Sequence, residues 1–303
     1  MEIKKVAVMG LGLIGGSLAK AFNKMGVKVT GFDVDDETLA LAKNDGVIDG
    51  SSGNIRDIKD EEKLKQALKD VNLVFLCVPV FDIAPVLRRV MNCIPKGAIL
   101  TDTGSVKKSV IDAVEPFLAP GVTFIGGHPM AGSERSGYRW SRPDLFMGAS
   151  YVITPTSSTG AEELWTLVQL VRDLGARPVL MSPEDHDLAV AAVSHLPQVI
   201  STTLVNTVKR VHPGGDVINV AGGGWRDTTR IAASGTRMWS DILIANKDRI
   251  LPLIAAFKEE LSILETAIEN SDERGIEQFF NAAREYKNNT CNLTRRAALG
   301  MEV

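Results

Sequence analysis

Four polar segments of this 303-residue chain hold side chains that can move a proton or bind an anion. Two of them follow predicted strands: TDTGSVK at residues 101–107 and GGHPMAGSE at residues 126–134. The others are SHLP at residues 194–197 and GWRDTTR at residues 224–230, which continues to Met238-Trp239. An imidazole with an ordinary pKa of about 6.5 accepts a proton near neutral pH, and a guanidinium binds a carboxylate through paired hydrogen bonds. The four segments are therefore the candidates for acid–base chemistry and anion binding.

Ser105 and His128 each lie just past a predicted strand. Because open α/β sheets bind ligands beyond the carboxyl ends of their strands, we expect these two side chains to converge. Ser105 is equally suited to cap the next helix, and the two roles are compatible. His195 alone is as readily a buried structural histidine as a ligand, whereas His186 and His212 are predicted to be peripheral.

Metal ligands are not indicated. The histidines lack a useful spacing, no acidic cluster accompanies them, and Cys77, Cys93 and Cys291 are widely separated. Cys77 lies in an apolar run, where a small core residue is a better interpretation than a nucleophile. We expect neither a metal site nor a disulfide framework.

A glycine-rich turn, GLGLIG at residues 10–15, follows a short apolar strand and opens a helical segment. This context is the one in which such a motif predicts dinucleotide binding. Gly10 permits the tight turn, Gly12 lets a pyrophosphate approach the backbone, and Gly15 allows close packing of helix on strand. The free N–H groups of the helix N-terminus favour phosphate there.

Asp33 lies 18 residues beyond Gly15, at the end of the next predicted strand. A carboxylate at this spacing accepts hydrogen bonds from the adenosine ribose and repels a 2′-phosphate. Residues 33–41 contain no Arg or Lys to bind that phosphate, which favours NAD over NADP. The predicted cofactor contacts are Gly10, Gly12, Leu13, Ile14, Gly15, Asp33, Val78 and Pro79.

The elements that position these residues begin with an alternation of strands and helices. A helix is predicted near residues 161–174. This alternation predicts an α/β Rossmann domain at residues 1–181, with a doubly wound, mostly parallel sheet. The predicted strands are residues 5–9, 28–33, 73–78, 98–103, 123–126, 151–154 and 177–181.

The pattern changes at Ser182, which is a good helix N-cap before Pro183. Beyond it we predict no strand, so residues 182–303 form an all-α domain whose spare apolar surface dimerises. We expect Pro197 to kink the first long helix. The predicted helices cover residues 187–211, 241–270 and 276–293.

Composition narrows the class of protein. Apolar residues make up 45% of the chain, enough for a sizeable core, and the net charge of −3 argues against a nucleic-acid partner. No unbroken apolar stretch approaches the roughly 18–20 residues of a membrane span, so we expect no membrane partner. The N-terminal strand leaves no room for a signal peptide, and we expect a cytoplasmic location.

Taken together, five ordered motifs resemble the prephenate dehydrogenase family: residues 10–15, 102–107, 127–132, 194–197 and 227–232. The resemblance extends from residue 5 to about residue 250. It implies oxidation of a ring hydroxyl by NAD with loss of carbon dioxide, which converts prephenate into 4-hydroxyphenylpyruvate in tyrosine biosynthesis. It also implies a homodimer, with neither a chorismate mutase domain before the Rossmann domain nor an ACT domain after the helices.

The resemblance also implies residue roles. His128 accepts the proton of the substrate hydroxyl, and Ser105 hydrogen-bonds that hydroxyl or His128. Arg230 holds the ring carboxylate of the dianionic substrate, with Asp227 placed to pair with it. The further pocket residues implied are Glu134, Trp239 and His195, and the competing arginines are Arg226, Arg237 and Arg249.

Three alternatives stay open. Arogenate dehydrogenase has the same chemistry, and one sequence does not separate the two substrates. A β-hydroxyacid dehydrogenase needs a catalytic Lys after its glycine-rich helix start, but here Gly224 leads to Trp225-Arg226 and the next Lys is Lys247. A non-catalytic NAD-binding regulator is the third alternative.

Overall fold

The computed structural model describes residues 3–50, 52–55 and 61–298, with side chains through residue 290. Its described residues divide into two compact units, the first ending at Ile250 and the second beginning at Leu251. Strands occur in the first part of the chain, and the residues described beyond 182 contain helices and turns without a strand. The predicted fold class, a Rossmann domain followed by an all-α region, is confirmed. The predicted domain boundary at 181/182 stays a prediction.

The first unit is built on an eight-stranded sheet with the strand order β3-β2-β1-β4-β5-β6-β7-β8. Neighbouring strands are parallel except β6 and β7, which are antiparallel. Seven of the strands were predicted, and the missing one, β3, is too short to show an alternating pattern. The strands are β1 (Lys5–Met9), β2 (Lys28–Asp33), β3 (Gly53–Asn54), β4 (Leu73–Leu76), β5 (Ile99–Asp102), β6 (Thr123–Pro129), β7 (Ser150–Thr154) and β8 (Arg177–Leu180).

Twelve α-helices are found in the described part of the chain. The first six accompany the sheet: α1 (Leu13–Lys24), α2 (Asp36–Asn44), α3 (Glu61–Leu68), α4 (Val80–Val90), α5 (Lys108–Val114) and α6 (Ala161–Asp173). The others are α7 (Pro183–Val190), α8 (Leu196–Val211), α9 (Gly223–Thr229), α10 (Thr236–Ala245), α11 (Lys247–Glu269) and α12 (Glu273–Ala298).

Both faces of the sheet are buried. Along β1, Val6 and Val8 point to one face and Ala7 and Met9 to the other, because successive strand residues alternate. The first face packs against α1, α2 and α6, and the second against α3, α4 and α5. Each large apolar side chain buried in this way contributes about 1.5–3 kcal/mol. The rigid layer fixes where the carboxyl ends of the strands present their polar residues.

The helix that follows the sheet begins as the sequence predicts, and its regular hydrogen bonding is interrupted just before Pro197. The Ser182 side chain caps α7 by accepting a hydrogen bond from the Asp185 backbone N–H. Between α7 and α8 the chain forms a π-helical turn, Ala191–His195, just before Pro197. A proline ring crowds the carbonyl one turn earlier, and a widened turn relieves that clash. The turn places His195 at the junction of the two helices.

One helix of the described residues meets the length and composition of a membrane span. The continuous helix Pro183–Val211 passes on length and composition, with a mean hydropathy of 1.5 over its most apolar 18-residue window, 28% of which is buried. The sequence prediction counted unbroken apolar runs, whereas a window average tolerates polar residues. One such helix is weak evidence for a span, and this one carries His186, Asp187 and His195 into buried polar contacts.

Candidate active site

The glycine turn between β1 and α1 has the geometry of a phosphate cradle. Gly10 has a φ of +93°, and a Cβ there would overlap the carbonyl oxygen of Cys77. A Cβ on Gly15 would overlap the Gly10 carbonyl oxygen, so α1 packs this closely only without a side chain. At Gly12 no atom lies within 4 Å of the Cβ position, and no side chain caps α1, which begins at Leu13. The turn therefore presents open backbone and free N–H groups to a ligand.

Asp33 ends β2 beside this turn. Its Oδ2 accepts a hydrogen bond from the Leu11 N–H at 2.6 Å, and its Oδ1 accepts from the N–H groups of Val34 and Asp35 at 2.7 and 3.0 Å. The carboxylate is thus held at the edge of a cleft of about 230 Å³, which we call the nucleotide cleft. Its lining includes the predicted cofactor residues Gly10, Gly12, Asp33, Val78 and Pro79.

A second cleft, of about 440 Å³, adjoins the first and is called the main cleft. Gly12, Val78 and Pro79 line both clefts, so a ligand on the glycine turn can extend from one into the other. The main cleft also includes, of the predicted residues, Leu13, Ile14, Ser105, His128 and Glu134. The structure therefore brings the cofactor motif, two of the four polar segments and Met238 from the continuation of a third to one place.

His128 lies on β6 and is 9% exposed. Burial lowers the pKa of His128 well below its ordinary value, and the neighbouring His186, Lys107 and His195 lower it further. The imidazole is therefore neutral at physiological pH and has a free lone pair with which to accept a proton.

A buried ion pair between Lys107 and Asp102 fixes β6, the strand that carries His128. The ammonium of Lys107 donates to the Gly127 carbonyl oxygen at 2.8 Å, and Asp102 accepts from the Gly127 N–H at 3.1 Å. Asp102 also accepts from the Gly104 N–H at 2.8 Å. The same pair thus holds both the loop that carries Ser105 and the strand that carries His128. Asp102 and Lys107, the first and last residues of the motif at residues 102–107, therefore position the backbone of the site. The sequence did not indicate this role.

The prediction that His186 is peripheral is wrong. His186 is fully buried, its Nε2 lies 2.8 Å from Nδ1 of His128, and its Nδ1 lies 2.7 Å from Oδ1 of Asp187. The contact joins residues 58 positions apart, because α7 packs against the sheet domain. The signal that could have found it is the adjacent His-Asp pair at the start of a helix, where a carboxylate can orient an imidazole.

Ser105 lines the main cleft and is not a helix cap. Helix α5 begins at Lys108, with Lys107 as its N-cap residue and no side-chain cap from the neighbouring sequence. Asp187 caps it from a distance, accepting from the N–H groups of Lys107 and Lys108 at 2.7 and 2.9 Å. The Ser105 hydroxyl is therefore not needed for capping.

Arg230 pairs with Glu134, and the predicted pairing with Asp227 is wrong. Nη1 of Arg230 lies 3.3 Å from Oε2 of Glu134, which lines the main cleft. Asp227 lies inside α9, whereas Arg230 begins a 3₁₀ turn, so the two do not share a regular helix face. Of the competing arginines, Arg237 is paired with Asp82 at 2.9 Å.

His195 and Trp239 lie together but are not among the residues that line the main cleft. Their rings meet edge to face with centroids 5.9 Å apart. Nδ2 of Asn246 lies 3.2 Å from Nδ1 of His195 and donates to the Asp187 carbonyl oxygen at 2.8 Å. Burial lowers the pKa of His195 to about 4. Asn246, which the sequence did not single out, therefore connects His195 to the backbone of Asp187 in α7.

The strand order, the glycine turn and the acid at the end of β2 define a Rossmann-type dinucleotide-binding enzyme, and a neutral histidine beside the turn fits a dehydrogenase. The chain matches the family model "Prephenate dehydrogenase, nucleotide-binding domain" over residues 18–180 and "Prephenate dehydrogenase, dimerization domain" over residues 182–282. The chain belongs to the prephenate dehydrogenase family.

Individual relatives agree with this assignment. The prephenate dehydrogenase of Bacillus subtilis is 34% identical over 288 residues, which cover 93% of this chain and 75% of that protein. The crystal structure of A. aeolicus prephenate dehydrogenase with hydroxyphenyl propionate and NAD+ is 30% identical, with a TM-score of 0.85 and coverage of 96% of this chain and 99% of that one. Synechocystis arogenate dehydrogenase is 30% identical, with a TM-score of 0.76 and coverage of 94% and 99%. The family, the oxidoreductase class and the NAD cofactor predicted from sequence are confirmed.

Proposed function

We propose that this enzyme oxidises prephenate with NAD+ to 4-hydroxyphenylpyruvate and carbon dioxide. The observation that carries the proposal is the shared main cleft, in which a neutral His128 adjoins the glycine turn. In the reaction the ring hydroxyl loses a proton and its carbon loses a hydride. The ring carboxylate leaves as carbon dioxide, and the ring becomes aromatic. Because aromatisation drives the second step, the site needs to orient the substrate and accept one proton.

Bound NAD+ supplies the hydride acceptor. The open backbone at Gly12 and the N-terminus of α1 would hold its pyrophosphate. Asp33, already fixed by backbone N–H groups, would accept the ribose hydroxyls and disfavour NADP. Leu13, Ile14, Val78 and Pro79 would contact the cofactor where the two clefts join.

His128 is the proposed proton acceptor. Its buried, neutral imidazole lines the main cleft and takes the proton of the substrate hydroxyl as hydride leaves the same carbon. Ser105 lines the same cleft and would hydrogen-bond that hydroxyl or the imidazole. The two side chains would orient the hydroxyl for loss of its proton and of the hydride on the same carbon.

Arg230 is the proposed ligand of the ring carboxylate. Its side chain is 62% exposed and pairs with Glu134, a residue of the cleft wall. A carboxylate from the substrate can replace or share that partner through charge-assisted hydrogen bonds. We assign Asp227, His195 and Trp239 to the surrounding substrate pocket, with His195 and Trp239 acting from behind the cleft wall.

The remaining proposals concern assembly and location. The helical region matches a family model described as a dimerization domain, and we propose a homodimer with a domain boundary at 181/182. We also propose a cytoplasmic location, which follows from the class of enzyme.

The test is an initial-rate assay of NADH formation with prephenate or arogenate, each with NAD+ or NADP+. We expect turnover of prephenate with NAD+ and a much smaller kcat/KM with NADP+. Preference for arogenate, the substrate named for the similar Synechocystis enzyme, would keep the chemistry and replace the substrate. Binding of NAD+ without turnover of either substrate would favour the regulator interpretation.

A further inference from the structure

His128, His186 and Asp187 form a chain of hydrogen bonds that runs inward from the main cleft. Its links are 2.8 Å between the two imidazoles and 2.7 Å between His186 and the carboxylate. His186 and Asp187 are 0% and 3% exposed, and neither lines the cleft. They do not reach a substrate there, so any influence on the reaction passes through His128.

Asp187 determines which atoms donate and which accept in this chain of hydrogen bonds. The two carboxylate oxygens of Asp187 accept the backbone N–H groups of Lys107 and Lys108 at 2.7 and 2.9 Å. A carboxylate engaged in this way offers only acceptors. Nδ1 of His186, 2.7 Å from Oδ1, must therefore carry a hydrogen and donate it.

The tautomer of His186 in turn determines the tautomer of His128. A neutral imidazole with its hydrogen on Nδ1 has its lone pair on Nε2. Nε2 of His186 therefore accepts from Nδ1–H of His128 across the 2.8 Å contact. The ring nitrogen of His128 that stays unprotonated is Nε2, on a side chain that lines the main cleft.

We propose that Asp187 and His186 are positioning residues that hold His128 in its Nδ1–H tautomer, with Nε2 as the proton acceptor. The proposal rests on the proposed function. When the substrate O–H bond breaks, its proton forms the new N–H bond at Nε2. The resulting imidazolium donates through Nδ1–H to His186, whose own Nδ1–H remains directed at Asp187. The carboxylate thereby stabilises a charge that exists only after proton transfer.

The proposed tautomer requires a His186 that carries a hydrogen on Nδ1 alone. A doubly protonated His186 would donate from both nitrogens and oblige His128 to accept at Nδ1. Besides Asp187, the groups close to this pair are the buried ammonium of Lys107, held by Asp102, and the imidazole of His195. Burial, together with the positive charge of Lys107, lowers the pKa of His128 and keeps that ring neutral before proton transfer.

The tautomer can be measured directly by ¹⁵N NMR of histidine-labelled enzyme. The chain has four histidines, so the spectrum is small enough to assign with single substitutions. At pH 7.5 we expect His128 to show a protonated Nδ1 and an unprotonated Nε2. In His186→Phe, which keeps an aromatic ring but removes the acceptor, we expect this preference to be lost. A wild-type His128 protonated at Nε2 would overturn the proposal without any need for a variant.

Kinetics supply the second readout. We expect His186→Phe to lower kcat by about 10- to 100-fold, as loss of an orienting partner does, with KM changed less than about threefold. His186→Gln retains an acceptor for His128 and should recover most of this loss. His212→Phe is the matched control, since His212 is exposed beyond the end of α8 and should leave kcat unchanged.

The possible outcomes distinguish a failure of the positioning role of His186 and Asp187 from a failure of the proposed function. If wild-type enzyme turns over prephenate and folded His186→Phe has an unchanged kcat, the positioning role of His186 and Asp187 is overturned and the proposed function stands. If wild-type enzyme turns over neither substrate, the proposed function fails, while the NMR experiment still tests the tautomer. If His186→Phe does not fold, His186→Gln and the wild-type spectrum decide.

Discussion

The glycine turn and the His128 network occupy adjoining clefts but are built in different ways. Residues 10–15 would bind the pyrophosphate of the cofactor through the backbone, and what matters there is that Gly10, Gly12 and Gly15 have no side chain. His128 depends on side chains from β5, α7 and the start of α5, which lie up to 80 positions apart in sequence. A local backbone motif tolerates change elsewhere in the chain, whereas a network assembled by packing fails when any one of its members is displaced.

The largest expected effect comes from replacing His128, the residue through which the hydrogen-bonded side chains reach the main cleft. His128→Asn keeps a small polar side chain but removes the base, and kcat should fall by roughly 10²–10⁴. Stopped-flow measurement of NADH formation at saturating substrate gives this value. Cofactor binding, measured by calorimetry, should remain within about twofold, since the backbone turn is untouched. An unchanged kcat would remove His128 as the proton acceptor.

The next test separates two glycines of the same turn. Gly15→Ala places a methyl group on the Gly10 carbonyl oxygen, so we expect a loss of about 2–4 kcal/mol in stability as well as weaker NAD+ binding. Gly12→Ala meets no atom within 4 Å, so the melting temperature of the free protein should be unchanged. Its methyl group would meet only the pyrophosphate, raising the Kd for NAD+ by about tenfold or more.

Thermal melts with and without NAD+ distinguish these two results. Equal loss of stability in both variants would mean that Gly12 is constrained by the protein. Equal NAD+ affinity in wild type and Gly12→Ala would mean that the pyrophosphate does not approach this residue, and the backbone account of the cofactor site would fail.

The same contrast explains what the sequence could reveal. The turn, Asp33 and seven strands follow from local spacing and periodicity, and the structure has them where the patterns predict. His186 was misjudged because its importance arises from a contact with His128 that no local pattern encodes. The partner of Arg230 was missed for the same reason, since Glu134 lies 96 positions away while Asp227 lies nearby in sequence. Local chemistry identified candidates, and packing decided their partners.

Arg230 is intermediate between the local glycine turn and the packed His128 network, because it is an exposed side chain with one partner distant in sequence. Arg230→Ala should raise KM for prephenate by about 10- to 100-fold, the loss of a charge-assisted contact, with kcat within about threefold. Arg226→Ala is the matched control: it is also exposed, and it donates to the Ala221 carbonyl oxygen of its own segment. Initial rates over a range of prephenate concentrations give both constants. A larger effect at Arg226 would transfer the carboxylate-binding role to that residue.

The smallest expected effect is the pH dependence of stability caused by the buried histidines. The pKa of His195 in the folded protein is about 4, below its ordinary value of 6.5, because of burial. Between these values the unfolded chain binds more protons than the folded one, so stability is complete above about pH 6.5 and falls as the pH is lowered toward 4. His195→Asn cannot titrate in this window. Scanning calorimetry between pH 7.5 and 4.5 should therefore show a decrease in Tm that is about 3–6 °C larger for wild type than for His195→Asn. Parallel curves would show that the pKa of His195 is the same in the folded protein as in the unfolded chain, and burial would then not lower it.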